Sequence, residues 1–116
     1  MKAILRLEEA AKFILSYWLT MQVGFSWWVF LAWLLAPDIS MIAYLINTKT
    51  GAFFYNVFHH QALAVLIGIL GLYLQYPEWQ FAGLLLFGHS SMDRIFGYGL
   101  KYADDFKHTH LGWIGK

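Results

Sequence analysis

The chain has 116 residues, of which 59% are apolar, 20% aromatic and 13% charged; an average soluble domain is ~25% charged and ~45–50% apolar. This balance argues against a soluble globular domain and excludes disorder and a multidomain enzyme. The absence of cysteine removes thiolate metal sites, thiol catalysis and disulfides, and a formal charge of +1 leaves no electrostatic case for nucleic acid.

With ~20 apolar residues per membrane span, there is room for four spans in a single transmembrane domain covering 1–116. The first run, about 4–23, is interrupted by Arg6, Glu8, Glu9 and Lys12. Those charges and the lack of a small-x-small cleavage site make it a retained helix, not a signal peptide. Gly24-Phe25-Ser26 is a short turn, and the second run, about 27–46, contains Pro37-Asp38, where proline should kink the helix. Asn47-Thr48-Lys49-Thr50-Gly51 is a polar turn. The third run is expected over about 52–76 and the fourth, opened by Pro77, over about 77–100, with a polar tail at 101–116.

Positive charge falls at the N-terminus (Lys2, Arg6, Lys12), in the second loop (Lys49) and in the tail (Lys101, Lys107, Lys116). The positive-inside rule then puts both termini in the cytoplasm, as an even number of spans requires. Trp18, Trp27, Trp28, Trp33 and Trp79 supply interfacial aromatic belts. The expected fold is an all-α, integral membrane four-helix bundle, with lipids and other copies of the chain as partners.

Ionisable groups inside a bilayer mark function or a mutually satisfied network. Glu8 and Glu9 come from the first helix, Asp38 from the second, Asn56, His59 and His60 from the third, and His89, Asp93 and Arg94 from the fourth. At ~1.5 Å per residue, Glu8, Asp38, His59, His89 and Asp93 fall at nearly one depth in the inner half of the membrane. Asn56/His59 and His89/Asp93 each share a helix face. Imidazole plus carboxylate suits zinc, iron or manganese, and the arrangement resembles the carboxylate–histidine sites of four-helix bundles. The carboxylates Glu8, Glu9, Asp38 and Asp93 outnumber the fixed cations Lys12 and Arg94, so protons or a cation must balance them. The competing reading is a structural network, with Arg94 paired to Asp38 or Glu8 and the histidines as interhelical glue. Ser90 and Ser91 beside His89 are expected to bond their own backbone. The glycines at 68, 71, 83, 88 and 97 serve close packing.

The segments Leu5-Arg6-Leu7-Glu8, Ala36-Pro37-Asp38-Ile39-Ser40-Met41, Tyr55-Asn56-x-x-His59, His89-x-x-x-Asp93-Arg94-x-x-Gly97-Tyr98-Gly99-Leu100-Lys101 and Thr109-His110-Leu111-Gly112 resemble a small bacterial membrane-protein family catalogued as a domain of unknown function. That resemblance implies four spans in a bacterial inner membrane and favours Glu8 over Glu9, His59 over His60 and His110 over His108. The stretch from His89 to Asp93 is also similar to motifs of membrane-bound metal-dependent hydrolases.

The resulting expectation is a divalent-metal site built from Glu8, Asp38, His59, His89 and Asp93, with Asn56 as a further ligand or donor and His110 closing it from the tail. If the protein is an enzyme, the reaction is hydrolysis of a lipid-like substrate, with Glu8 and Asp38 as candidate acid–base groups and Arg94 on an anionic group. The alternatives are an oligomeric proton or cation transporter and a non-catalytic scaffold with a buried ion-pair network.

Overall fold

The computed structural model describes residues 1–115. Its helices are α1 (Lys2–Val23), α2 (Trp27–Trp33), a 3-10 helix (Ala36–Leu45), α3 (Thr48–His59), α4 (Gln61–Leu74) and α5 (Pro77–Ile95). A two-stranded hairpin, β1 (His108–Thr109) and β2 (Gly112–Trp113), lies in the tail, so the chain is mostly helical.

Chain signals end the helices at definite points. At the end of α1, Gly24 N–H donates to the Met21 carbonyl and Phe25 N–H to that of Thr20, a Schellman closure. The same closure ends α4 and α5. In α5, Gly97 takes φ +89 and Tyr98 N–H reaches the Asp93 carbonyl at 2.8 Å. This left-handed residue stops the helix at Ile95, short of the expected 100. Asn47 starts α3 by accepting from Thr50 N–H at 2.7 Å, and Pro77 opens α5, where no backbone donor is missed.

Two expected helices are divided. The run containing Pro37 leaves α geometry after Trp33 and resumes as a ten-residue 3-10 helix, an unusual length for that geometry. Proline lacks the N–H that an α-helix would direct at Trp33, and Asp38 N–H instead binds the Leu35 carbonyl three residues back, at 3.1 Å. The third run breaks at His60, whose backbone is extended, and the two halves meet at 47°. The bend gives each half its own partner: α4 packs along α5, while α3 packs on the 3-10 helix.

Helix α5 is central, with α1 on one side and α4 on the other. A β-carbon on Gly83 would lie 2.5 Å from Gly68 N and 2.7 Å from the Ala64 carbonyl oxygen, so α4 and α5 touch backbone to backbone. Phe30 is fully buried between Phe13 and Tyr17. Gln61 joins three helices by bonding Glu9, Lys12, Ser91 and Arg94.

The buried set is unusually polar. It includes Ser16, Thr20, His59, His89, Ser90, Ser91, Asp93, Lys101 and Thr109, whereas Trp27, Leu35, Ile39, Ile42, Leu45 and Leu72 stand exposed. Among the described residues, one helical stretch, Trp27–Leu45, is long and apolar enough to cross a membrane, or two if the bent pair α3–α4 forms one span.

Candidate metal centre

Three elements bring four side chains together. Asp38 comes from the first turn of the 3-10 helix, His59 ends α3, and His89 and Asp93 occupy successive turns of one face of α5. Their ligand atoms all lie within 4.8 Å of one another. His89 Nε2 is 3.0 Å from Asp38 Oδ1 and 3.5 Å from Asp93 Oδ2, and His59 Nε2 is 3.3 Å from each of the same two oxygens. Nitrogen and oxygen therefore alternate around a closed ring. The four nitrogen–oxygen edges are close to the roughly 3.3 Å that separates ligands at zinc-like bond lengths of ~2.0–2.1 Å in a tetrahedron, while the two diagonals are bounded only by the 4.8 Å span of the group.

The outward-facing nitrogens fix the chemistry of the inward-facing ones. His59 Nδ1 lies 2.7 Å from the Tyr55 carbonyl oxygen and His89 Nδ1 lies 2.6 Å from that of Leu34. A carbonyl only accepts, so both Nδ1 atoms carry the proton. In the neutral rings each Nε2 then presents a lone pair to carboxylate oxygens that also only accept. The ring is unsatisfied until protons or a cation enter it. A histidine held through its far nitrogen by a carbonyl is the usual outer shell of a metal ligand.

Local sequence supplies these supports. The switch to 3-10 geometry sends Asp38 N–H to Leu35, which frees the Leu34 carbonyl for His89. Tyr55, one turn before His59, stacks its ring on the imidazole at 3.8 Å and donates its hydroxyl to Asp93 Oδ2 at 3.0 Å. His89 is fully buried, His59 and Asp93 are buried, and the Asp38 side chain is 31% exposed. Asp38 and Asp93 border a cavity of about 280 Å³ that is also lined by Met41, Tyr55, Tyr98, Lys101, Phe106 and Ile114.

The remaining expected site residues lie elsewhere. Glu8 is exposed on α1 and takes no part in the ring. Asn56 instead clamps the tail: its Oδ1 accepts from Lys101 N–H at 2.6 Å and its Nδ2 donates to the Lys101 carbonyl at 2.8 Å. Arg94 donates to Gln61 Oε1 at 3.3 Å, not to Asp38 or Glu8. His110 Nδ1 accepts from Leu100 N–H at 2.8 Å, which holds the tail's return loop, and partial desolvation followed by the Arg94 charge pulls its pKa below 6.5. Ser90 donates to the Phe87 carbonyl of its own helix, as expected.

Two residues gained importance from the fold. Tyr55 was detectable as the residue four before His59, on the same face. Lys101 is buried, with its ammonium over the rings of Phe106 at 3.9 Å and Tyr55 at 4.9 Å. Its charge alone did not distinguish it from Lys107; the one sequence signal was its place at the end of the Gly97-Tyr98-Gly99-Leu100-Lys101 segment that carries the family resemblance.

Residues 2–114 match a family described as a domain of unknown function, DUF4260. The chain belongs to that family. This agrees with the resemblance drawn from the Tyr-Asn-x-x-His, His-x-x-x-Asp-Arg and Thr-His-Leu-Gly segments, all of which lie inside the matched range. No curated protein and no solved structure matches the chain.

Proposed function

We propose that this DUF4260 chain is a multi-pass membrane protein that holds one divalent metal ion between Asp38, His59, His89 and Asp93. The observation that carries the proposal is the closed ring of two imidazole nitrogens and two carboxylate oxygens, with both outer nitrogens already committed to backbone carbonyls. The borderline donor set suits zinc, iron or manganese.

Membrane insertion is supported by the distribution of side chains: serine, threonine and histidine side chains with Asp93 and Lys101 are buried, while many large apolar groups stand outside. Exposed apolar side chains in such number call for lipid or a partner surface. The Lys and Arg residues in α1, at Lys49 and in the tail favour cytoplasmic termini, and the family resemblance is what supports a bacterial plasma membrane.

The favoured activity is hydrolysis of a lipid-like substrate. A divalent ion held by these four residues would supply Lewis-acid activation of water only by taking the water as a fifth ligand. Asp38 enters the ring through Oδ1 alone and is the partly exposed member that borders the cavity, so its other carboxylate oxygen is the candidate to accept a proton from the reacting water. Tyr55 fixes Asp93 by its hydroxyl and His59 by its ring, so the donors keep their directions. Tyr98, Phe106 and Ile114 give the cavity an apolar wall for a lipid substrate.

X-ray absorption on the zinc-loaded protein tests the ligand set. Two imidazole nitrogens and carboxylate oxygens at ~2.0–2.2 Å are expected; a hydrated ion without imidazole contradicts the proposal. Chelator-sensitive lipid hydrolysis tests the reaction separately.

A second reading rests on the same alternation. Two added protons would turn the ring into a pair of imidazoliums facing two carboxylates, a buried ion-pair network that fixes helix packing or relays protons. Metal-free, fully folded protein is the result that favours it.

A further inference from the structure

A metal ion in the ring leaves one buried charge, that of Lys101, without a counterion, and the role assigned to this lysine rests on that metal-site reading. Lys101 is 6% exposed. Its backbone is fixed on both sides of the residue, by the two Asn56 bonds and by a β-bridge to Thr109, so the side chain is held in place and not merely folded inward. The ammonium has aromatic faces beside it, and among the described residues neither a hydrogen-bond acceptor nor an ion-pairing carboxylate reaches it. It lines the same cavity as Asp38 and Asp93.

Charge balance gives this placement a meaning. A divalent ion in the ring compensates the two carboxylates, which makes the Lys101 ammonium the surplus charge of the cavity. Burial disfavours that charge and pulls the Lys101 pKa below its ordinary value, against the opposing pull of Asp93 and Asp38. A desolvated cation facing a cavity is stabilised by an anion that offers acceptor oxygens to it. The cavity, about 280 Å³, is many times the ~30 Å³ share of one water and just below the ~300 Å³ where sites for drug-sized ligands begin. Its size fits a headgroup, and its lining combines Asp38, Asp93 and Lys101 with the apolar residues Met41, Phe106 and Ile114.

We infer that Lys101 and the cavity beside the Asp38–His59–His89–Asp93 ring form an oxyanion subsite that takes a phosphate or phosphate-ester group adjacent to the metal. The assignment moves the anion-binding role expected of Arg94 to Lys101, since Arg94 is committed to Gln61. It also narrows the lipid-like substrate to a phosphorylated one.

The test uses the full chain in detergent, loaded with manganese and titrated calorimetrically with inorganic phosphate and with dihexanoyl phosphatidic acid. The wild type should bind at least one probe. Lys101→Gln should weaken binding about tenfold or more, as loss of a charge-assisted bond does, and Lys101→Arg should restore most of it, with manganese content unchanged in both. Equal binding of the two probes identifies free phosphate as sufficient, and binding of phosphatidic acid alone identifies a lipid headgroup; both outcomes support the subsite. Independently of any variant, manganese should broaden the 31P signal of the bound probe in the wild type. Undiminished binding by a folded Lys101→Gln protein, or no binding and no broadening with metal-loaded wild type, overturns the subsite and leaves the metal centre standing. Protein that takes up neither manganese nor, when they are offered, zinc or iron overturns the metal centre and the subsite with it.

Discussion

Asp38 Oδ1 lies 3.0 Å from His89 Nε2, and the other nitrogen of the same ring lies 2.6 Å from the carbonyl oxygen of Leu34, one helical turn before that aspartate. One segment of chain therefore grips the imidazole from both sides. The cause is local: Pro37 and the 3-10 geometry leave the Leu34 carbonyl without its α-helical donor, and His89 takes that place. A backbone irregularity becomes part of the site's outer shell.

Tyr55→Phe removes the hydroxyl donated to Asp93 and keeps the ring stacked on His59. Metal affinity should fall by about 10–100-fold, the usual effect of losing an outer-shell bond. Competition with a chromogenic chelator measures it, alongside far-ultraviolet dichroism to show unchanged helix content. Unchanged affinity would detach Tyr55 from the metal centre.

Asn56→Ala releases Lys101 N–H and carbonyl at once. A cost of about 1–3 kcal/mol is expected from one partner lost and two backbone groups left unpaired. The effect should be concentrated in the tail, as faster proteolysis beyond the end of α5 with little change in α1, α4 and α5. Uniform destabilisation of all helices would contradict the clamp.

The tail contact between His110 and Leu100 is pH-dependent. His110 accepts a hydrogen bond through Nδ1 in its neutral form, and its pKa lies below the ordinary 6.5 because of desolvation and then Arg94. The unfolded tail thus binds the proton more readily, and stability rises with pH across the interval between the folded value and 6.5. The contact is complete above 6.5 and is lost as pH falls through the folded value. The protection factor of the Leu100 amide, measured by hydrogen exchange, should drop across that interval, and His110→Ala should remove the dependence. A protection factor independent of pH would refute the linkage.

The helices were legible where composition and caps govern them. Gly24 and Pro77 mark an end and a start that coincide with those of α1 and α5, whereas the expected polar turn at 47–51 is, from Thr48 onward, the first turn of α3, capped by Asn47. The break at His60 was not legible, because no proline or glycine stands there; it follows from α3 and α4 packing on different partners. The expected stop at 100 overlooked Gly97, whose left-handed backbone closes α5 at Ile95 in the same way that Gly24 closes α1.

At the site, equal depth along antiparallel helices singled out Asp38, His59, His89 and Asp93, which the fold gathers. Depth says nothing about rotation around a helix axis, and Glu8 shares the level while facing outward. Neighbouring Glu9 turns inward, to Lys12 and Gln61, and so belongs to the interhelical network and not to the ring. Asn56 was expected as a further ligand or donor and His110 as the residue closing the site, yet their partners are backbone groups of the tail. Tail folding depends on long-range pairing, which periodicity along a single helix does not encode.

The metal centre itself stands or falls on the metal content of the protein purified in mild detergent without chelators, beside Asp93→Asn and His89→Ala. Close to one zinc, iron or manganese ion per chain is expected in the wild type, with loss of it in both variants. Well-folded wild type that contains no metal, and takes up none when divalent ions are offered, would contradict the assignment and leave the ring as a protonated ion-pair network.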